Sequence, residues 1–171
     1  MKTMHGFFAA LIALSFLSPG GAFAAVGPKP EAFTKLQAMV GHWESQSGKD
    51  QKSTLDIELT GGGSAILERS HESIEGKPVE MTTVYYLDGD NVQMTHYCMA
   101  GNQPTMRGTY APETKTLTFD FVSATNLKSA DDGHMHHAVY VFLDDNHIKQ
   151  TWTFRKNGKD TFSEEVVYVR K

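Results

Sequence analysis

The sequence predicts an all-β protein: a closed, up-and-down antiparallel barrel of about ten strands with one short N-terminal helix. Three observations carry this expectation. Apolar residues recur with a period of two through nearly the whole chain after Gly41, the spacing of strands with one buried face. The runs are separated by short turn signals, which join only antiparallel neighbours. A meander of that many strands would leave two exposed edges, and closure removes both. With 40% hydrophobic and 21% charged positions among 171 residues, the composition suits a single globular domain.

Residues 1–24 read as a signal peptide. Lys2 and His5 lead an apolar run from Phe7 to Leu17, Pro19-Gly20-Gly21 breaks it, and Ala22-Phe23-Ala24 is the small-x-small pattern of a cleavage site. The run is too short to span a bilayer, so no integral membrane segment is expected after processing. The mature chain is expected to begin near Ala25, periplasmic or secreted. Residues 25–30 read as a flexible leader, since Pro28 and Pro30 suit neither a helix interior nor a ladder. Residues 31–171 form the barrel domain. Phe33, Leu36, Met39 and Val40 fall at helical spacing over Glu31 to Val40, and Gly41 stops the helix.

Strands are then expected near 42–48, 51–60, 63–72, 79–87, 91–99, 104–110, 115–122, 134–143, 147–155 and 160–170. Leu55, Ile57 and Leu59 share a face, as do Leu117, Phe119 and Phe121, and as do Ile148, Trp152 and Phe154. Turn signals between runs include Thr60-Gly61-Gly62-Gly63, Asp88-Gly89-Asp90-Asn91 and Lys156-Asn157-Gly158-Lys159. A barrel of more than eight strands is not filled by side chains alone, which implies a cavity.

The formal charge is −4, one unit more negative once Lys2 leaves, and the basic residues are scattered. Nucleic acid and anionic membrane surfaces are therefore not expected partners. Cys98 is the only cysteine, which excludes an internal disulfide, and none stands near the cleavage site to carry a lipid. Catalysis has no specific signal. His96 shares a strand with Cys98 instead of facing it, Glu164 and Glu165 alternate between faces, and Gly61-Gly62-Gly63 precedes no helix that would hold phosphate.

Polar residues on inward faces are the candidates for binding. Parity places Val92, Met94, His96 and Cys98 on one face, and Ile148, Gln150 and Trp152 on another. The expected site is thus a lumen with Met94 and Trp152 on its apolar wall and a polar end at His96, Cys98 and Gln150, with Asn102, Gln103 and Arg107 at the mouth. It would take a small, largely apolar molecule. A second reading draws on Asp132-Gly133-His134-Met135-His136-His137, where His134 and His136 have the His-x-His spacing of metal sites on strands. His96 or Cys98 would complete a metal or haem centre. A third is a plugged structural or interaction domain. Cofactor and oligomeric state are left open.

The segment Leu36-Gln37-Ala38-Met39-Val40-Gly41-His42-Trp43-Glu44 sets a Gly-x-Trp between a short helix and the first strand. This resembles the opening of the lipocalin-like, or calycin, barrels. The resemblance implies that Trp43 seals one end of the barrel and that a late-strand arginine packs across it, Arg170 or else Arg155. His96-Tyr97-Cys98 followed by Gly101-Asn102-Gln103-Pro104 is similar to exported bacterial calycin-like domains of unassigned function. The lipocalin disulfides are absent, and no haem-ligating arrangement of the ten-stranded haem-binding calycins is matched residue by residue.

Overall fold

The computed structural model describes residues 29–46 and 52–171. The signal segment and the leader up to Pro28 lie outside the described residues. A helix, α1 (Glu31–Gln37), precedes ten strands: β1 (Gly41–Ser45), β2 (Thr54–Thr60), β3 (Ala65–Ile74), β4 (Lys77–Asp88) and β5 (Asn91–Tyr97), then β6 (Gln103–Ala111), β7 (Thr116–Thr125), β8 (His134–Asp144), β9 (His147–Lys156) and β10 (Lys159–Arg170). Each strand pairs antiparallel with the next, and β1 pairs with β10, so the barrel is closed. The predicted fold class is the observed one. The helix is shorter than expected because its last turn tightens, with Met39 N–H on Leu36 O and Val40 N–H on Gln37 O.

Successive turns alternate between the two ends of the barrel. The helix and the turns at 61–64, 89–90, 112–115 and 145–146 share the near end; those at 75–76, 98–102, 126–133 and 157–158 share the far end. α1 lays Phe33 and Leu36 into the near end, followed by Met39, each at most 1% exposed. Behind them the inner faces of the strands supply Ile66, Tyr85, Met94, Met106, Phe119 and Tyr140, all fully buried. Phe119 and Tyr140 meet edge to face at 5.4 Å. Phe119 also lies flat over Gly108, where an added Cβ would stand 2.9 Å from its ring.

The Gly-x-Trp segment owes its composition to one contact. Trp43 is 1% exposed and its Nε1 donates to Met39 O at 2.7 Å. The Arg170 guanidinium covers the indole at 4.2 Å. That same guanidinium donates from Nη1 to Val40 O at 2.7 Å and from Nη2 to Ala38 O at 2.5 Å. These carbonyls follow the helix and have no partner within it. Gly41 adopts φ +140°, and a Cβ there would sit 2.9 Å from Arg170 Nη1. Only glycine admits the arginine. Arg155 does not substitute, since it pairs with Asp160 at 2.7 Å.

Three positions depart from simple alternation. Leu59 is 47% exposed, because it stands at the rim just before the Gly61–Gly63 turn, beyond the reach of the core. On β7 the register shifts, so that Met106 faces Phe121 and Thr105 faces Ser123; Val122 bulges out, 51% exposed. Phe121 stays half-buried, tilted against His134 at 4.6 Å and stacked on His136 at 4.9 Å. Cys98 was expected on the inner face of the fifth strand. β5 ends at Tyr97, so the alternation stops one residue short of it.

Candidate functional site

A cavity of about 50 Å³ lies in the far half of the lumen, beyond the packed residues of the core. Its wall joins alternate residues of β3 (Glu68, Ser70, Glu72), β9 (Gln150, Trp152) and β10 (Glu164, Val166, Tyr168). Leu55, Met81, His96 and Met135 complete it. Parity explains the β3 and β9 contributions: Ile66 on β3 and Ile148 on β9 are core residues, so residues two, four and six places on share their face.

Glu68 is the floor. It is 3% exposed and accepts a hydrogen bond from Tyr85 Oη at 2.9 Å, while Tyr85 and Tyr140 hydroxyls meet at 2.8 Å. Burial pushes its carboxyl up to about 7; the Tyr85 hydroxyl and the neighbouring Gln150 amide oppose the rise, and the Glu72 charge adds to it. Glu72 is likewise raised, by burial first and then by Glu164. Burial also raises Tyr85, Tyr140 and Tyr168.

His96 is 4% exposed, and burial pushes its imidazole down to about 4, so the ring is neutral. Its Nδ1 meets Thr83 Oγ1 at 3.0 Å and its ring rests on Trp152 at 4.8 Å. Trp152 Nε1 donates to Gln150 Oε1 at 3.3 Å, which sets the orientation of the amide, because an indole N–H only donates. His96 Nε2 and Gln150 Nε2 are both buried with no hydrogen-bond partner. Gln150 Nε2 lies near enough to Glu68 to favour its charge, without reaching it at hydrogen-bond length.

Of the predicted site residues, His96, Gln150 and Trp152 thus come together. Met94 is fully buried in the packed core, away from the cavity wall. Cys98 is half-buried in the β5–β6 turn, where Ala100 N–H approaches its sulfur at 3.5 Å; burial raises its thiol, which stays protonated. Asn102 is buried and ties that turn to the β7–β8 loop by donating to Gly133 O at 2.8 Å, while its Oδ1 has no partner. Gln103 Oε1 accepts from Thr125 at 2.6 Å. Arg107 is exposed on the outer face, where β7 sets Asp120 opposite it.

His134 and His136 are adjacent but are engaged with each other. His134 Nδ1 donates to Asp132 O at 2.8 Å, and its Nε2 meets His136 Nδ1 at 3.1 Å. Burial, then Arg155 and His134, lower the His136 pKa. Among the described residues no three His, Cys, Asp or Glu side chains are grouped as metal ligands.

Glu68, Ser70, Glu72 and Glu164 line the cavity without having been expected there. Their signal was present in the alternation from Ile66 through Glu68 and Ser70 to Glu72, a strand whose inner face turns acidic toward one end.

Fold and cavity together define a closed ten-stranded barrel with one end sealed by a helix and a polar-floored cavity toward the other. No family model matches the chain, and neither does any curated protein. Among solved structures it is similar to Rv2717c from M. tuberculosis, with 13% identity over 84% of this chain and 99% of that one and a TM-score of 0.62. It is also similar to a protein with unknown function from the DUF3598 family (Npun_R4044) from Nostoc punctiforme PCC 73102. There identity is 10%, coverage is 80% of this chain and 49% of that one, and the TM-score is 0.51. At these identities the likeness is one of fold.

Proposed function

We propose that the protein binds a small molecule at the far end of its barrel lumen. The observation that carries this reading is the pair of buried, unpartnered nitrogens, His96 Nε2 and Gln150 Nε2, on residues that line one cavity. Leaving such groups unmade costs roughly 1–3 kcal/mol each, a cost that leucine or methionine would avoid and that a ligand's polar atoms would offset. Leu55, Met81, Met135 and Trp152 offer the apolar part of the wall. Glu68, Ser70, Glu72 and Glu164 make the lining more polar than a site for a largely apolar molecule requires. The ligand is therefore amphiphilic, with a polar head inward. At about 50 Å³ the cavity admits that head alone, and a haem has no room in it.

Ser70 is buried in the cavity wall, so Ser70→Phe fills the space. Mass spectrometry of solvent extracts should find a small molecule released from wild-type protein purified from its native host and about tenfold less from Ser70→Phe at equal thermal stability. Equal amounts from both would place the ligand elsewhere; an empty wild-type extract would favour the plugged barrel.

We further infer export, supported by the Lys2-led apolar run and Ala22-Phe23-Ala24. The expected result is an N-terminus at or next to Ala25 in protein recovered from outside the cytoplasm. Soluble protein retaining Met1 would overturn it.

A further inference from the structure

We propose that the far-end cavity receives the ammonium head of a small primary amine. This rests on lumenal binding and names its ligand class. Three carboxylates line one small space: Glu68 at the floor, half-buried Glu72 above it and exposed Glu164 at the mouth. They come from strands that are not neighbours, since β2 and β1 lie between β3 and β10. β2 pairs with β3 only as far as His71, and β1 with β10 only as far as Tyr168, so Glu72 and Glu164 meet beyond both ladders.

Among the described residues no lysine or arginine lines this space, and none of the three carboxylates has a cationic partner. The contrast along β10 is direct. Glu165, one residue further on the outer face, is paired with Lys149 at 3.1 Å, whereas among the described residues Glu164 has no such partner. Like charges so placed repel one another, and a bound cation relieves that repulsion.

The second observation does not depend on charge. His96 and Gln150 are each at least 96% buried and each brings an unpartnered nitrogen to the wall. With its proton on the Nδ1 that meets Thr83, the neutral His96 ring has a free acceptor at Nε2. An ammonium group has three N–H donors, enough for Glu68, Glu72 and His96. A cavity of about 50 Å³ accepts a primary ammonium and leaves its chain against Met81, Met135 and Trp152. A quaternary ammonium is bulkier and has no donor.

The test is a calorimetric titration of the whole processed protein with n-hexylammonium, n-hexyltrimethylammonium, n-hexanol and hexanoate. n-Hexylammonium should bind one to one, about tenfold or more tighter than the other three, as expected for hydrogen bonds between charged groups. Glu72→Gln and Glu164→Gln should each weaken it about tenfold at unchanged melting temperature, and Glu165→Gln should leave it within about twofold. Equal or tighter binding of hexanol or hexanoate overturns the amine class and leaves lumenal binding standing. Ammonium binding that Glu72→Gln and Glu164→Gln do not weaken overturns the location. No binding by any of the four probes overturns both.

Discussion

Replacing Trp43 with alanine is expected to lower the unfolding free energy by about 3–5 kcal/mol. The indole is 1% exposed, caps the near end of the core and is held by the bond from its Nε1 to Met39 O. Its loss opens a cavity beneath α1 and leaves Arg170 without the ring face at 4.2 Å. Against a total stability of about 5–15 kcal/mol, that is about a fifth or more, and the melting temperature should fall by on the order of 10 °C. Urea unfolding of wild type, Trp43→Ala and Arg155→Ala makes the comparison. Arg155 forms an exposed pair with Asp160 at the other end of the barrel, so its removal should change stability far less. A Trp43→Ala cost as small as that of Arg155→Ala would refute the role assigned to the indole.

The second large effect is in the pH dependence of stability, where two buried groups oppose each other. Glu68 is raised from 4.5 to about 7 in the folded protein, so between those values the folded state holds a proton that the unfolded state has lost. Stability from Glu68 is therefore present below pH 4.5 and is lost as pH rises to 7, a decline of about 3 kcal/mol. His96 is lowered from 6.5 to about 4, so between those values the unfolded state holds the extra proton. Its contribution rises by about 3 kcal/mol as pH climbs from 4 to 6.5. In the wild type the two slopes largely cancel.

Single substitutions separate them. The stability of Glu68→Gln relative to wild type should increase by about 3 kcal/mol between pH 4.5 and 7, and that of His96→Asn should decrease by a similar amount between pH 4 and 6.5. Parallel pH profiles for wild type and either variant would show that the residue is solvated in the folded state.

Much of the fold was legible because its signals are local. Alternation and tight turns are properties of neighbouring residues, so the strands, their antiparallel sense and the inward faces of Tyr85, Phe119 and Tyr140 follow from a few residues at a time. His96, Gln150 and Trp152 were legible on the same ground. Cys98 was not, since one residue decides whether a strand has ended, and the sharp turn in which Gly101 N–H bonds Cys98 O ends this one.

By itself, then, the sequence determined the closed ten-stranded barrel, the helix before it, and which face of each strand looks inward. Parity carries no information about depth. Whether an inward residue is packed, like Met94, or borders a cavity, like His96 two residues later, depends on how far α1 and the aromatic core fill the lumen. The acidic site was decided by tertiary structure alone. Glu72 and Glu164 are 92 positions apart in the chain, and they meet because β1 pairs with β10 and closes the barrel. Closure is a global property, and so is the charge that it gathers.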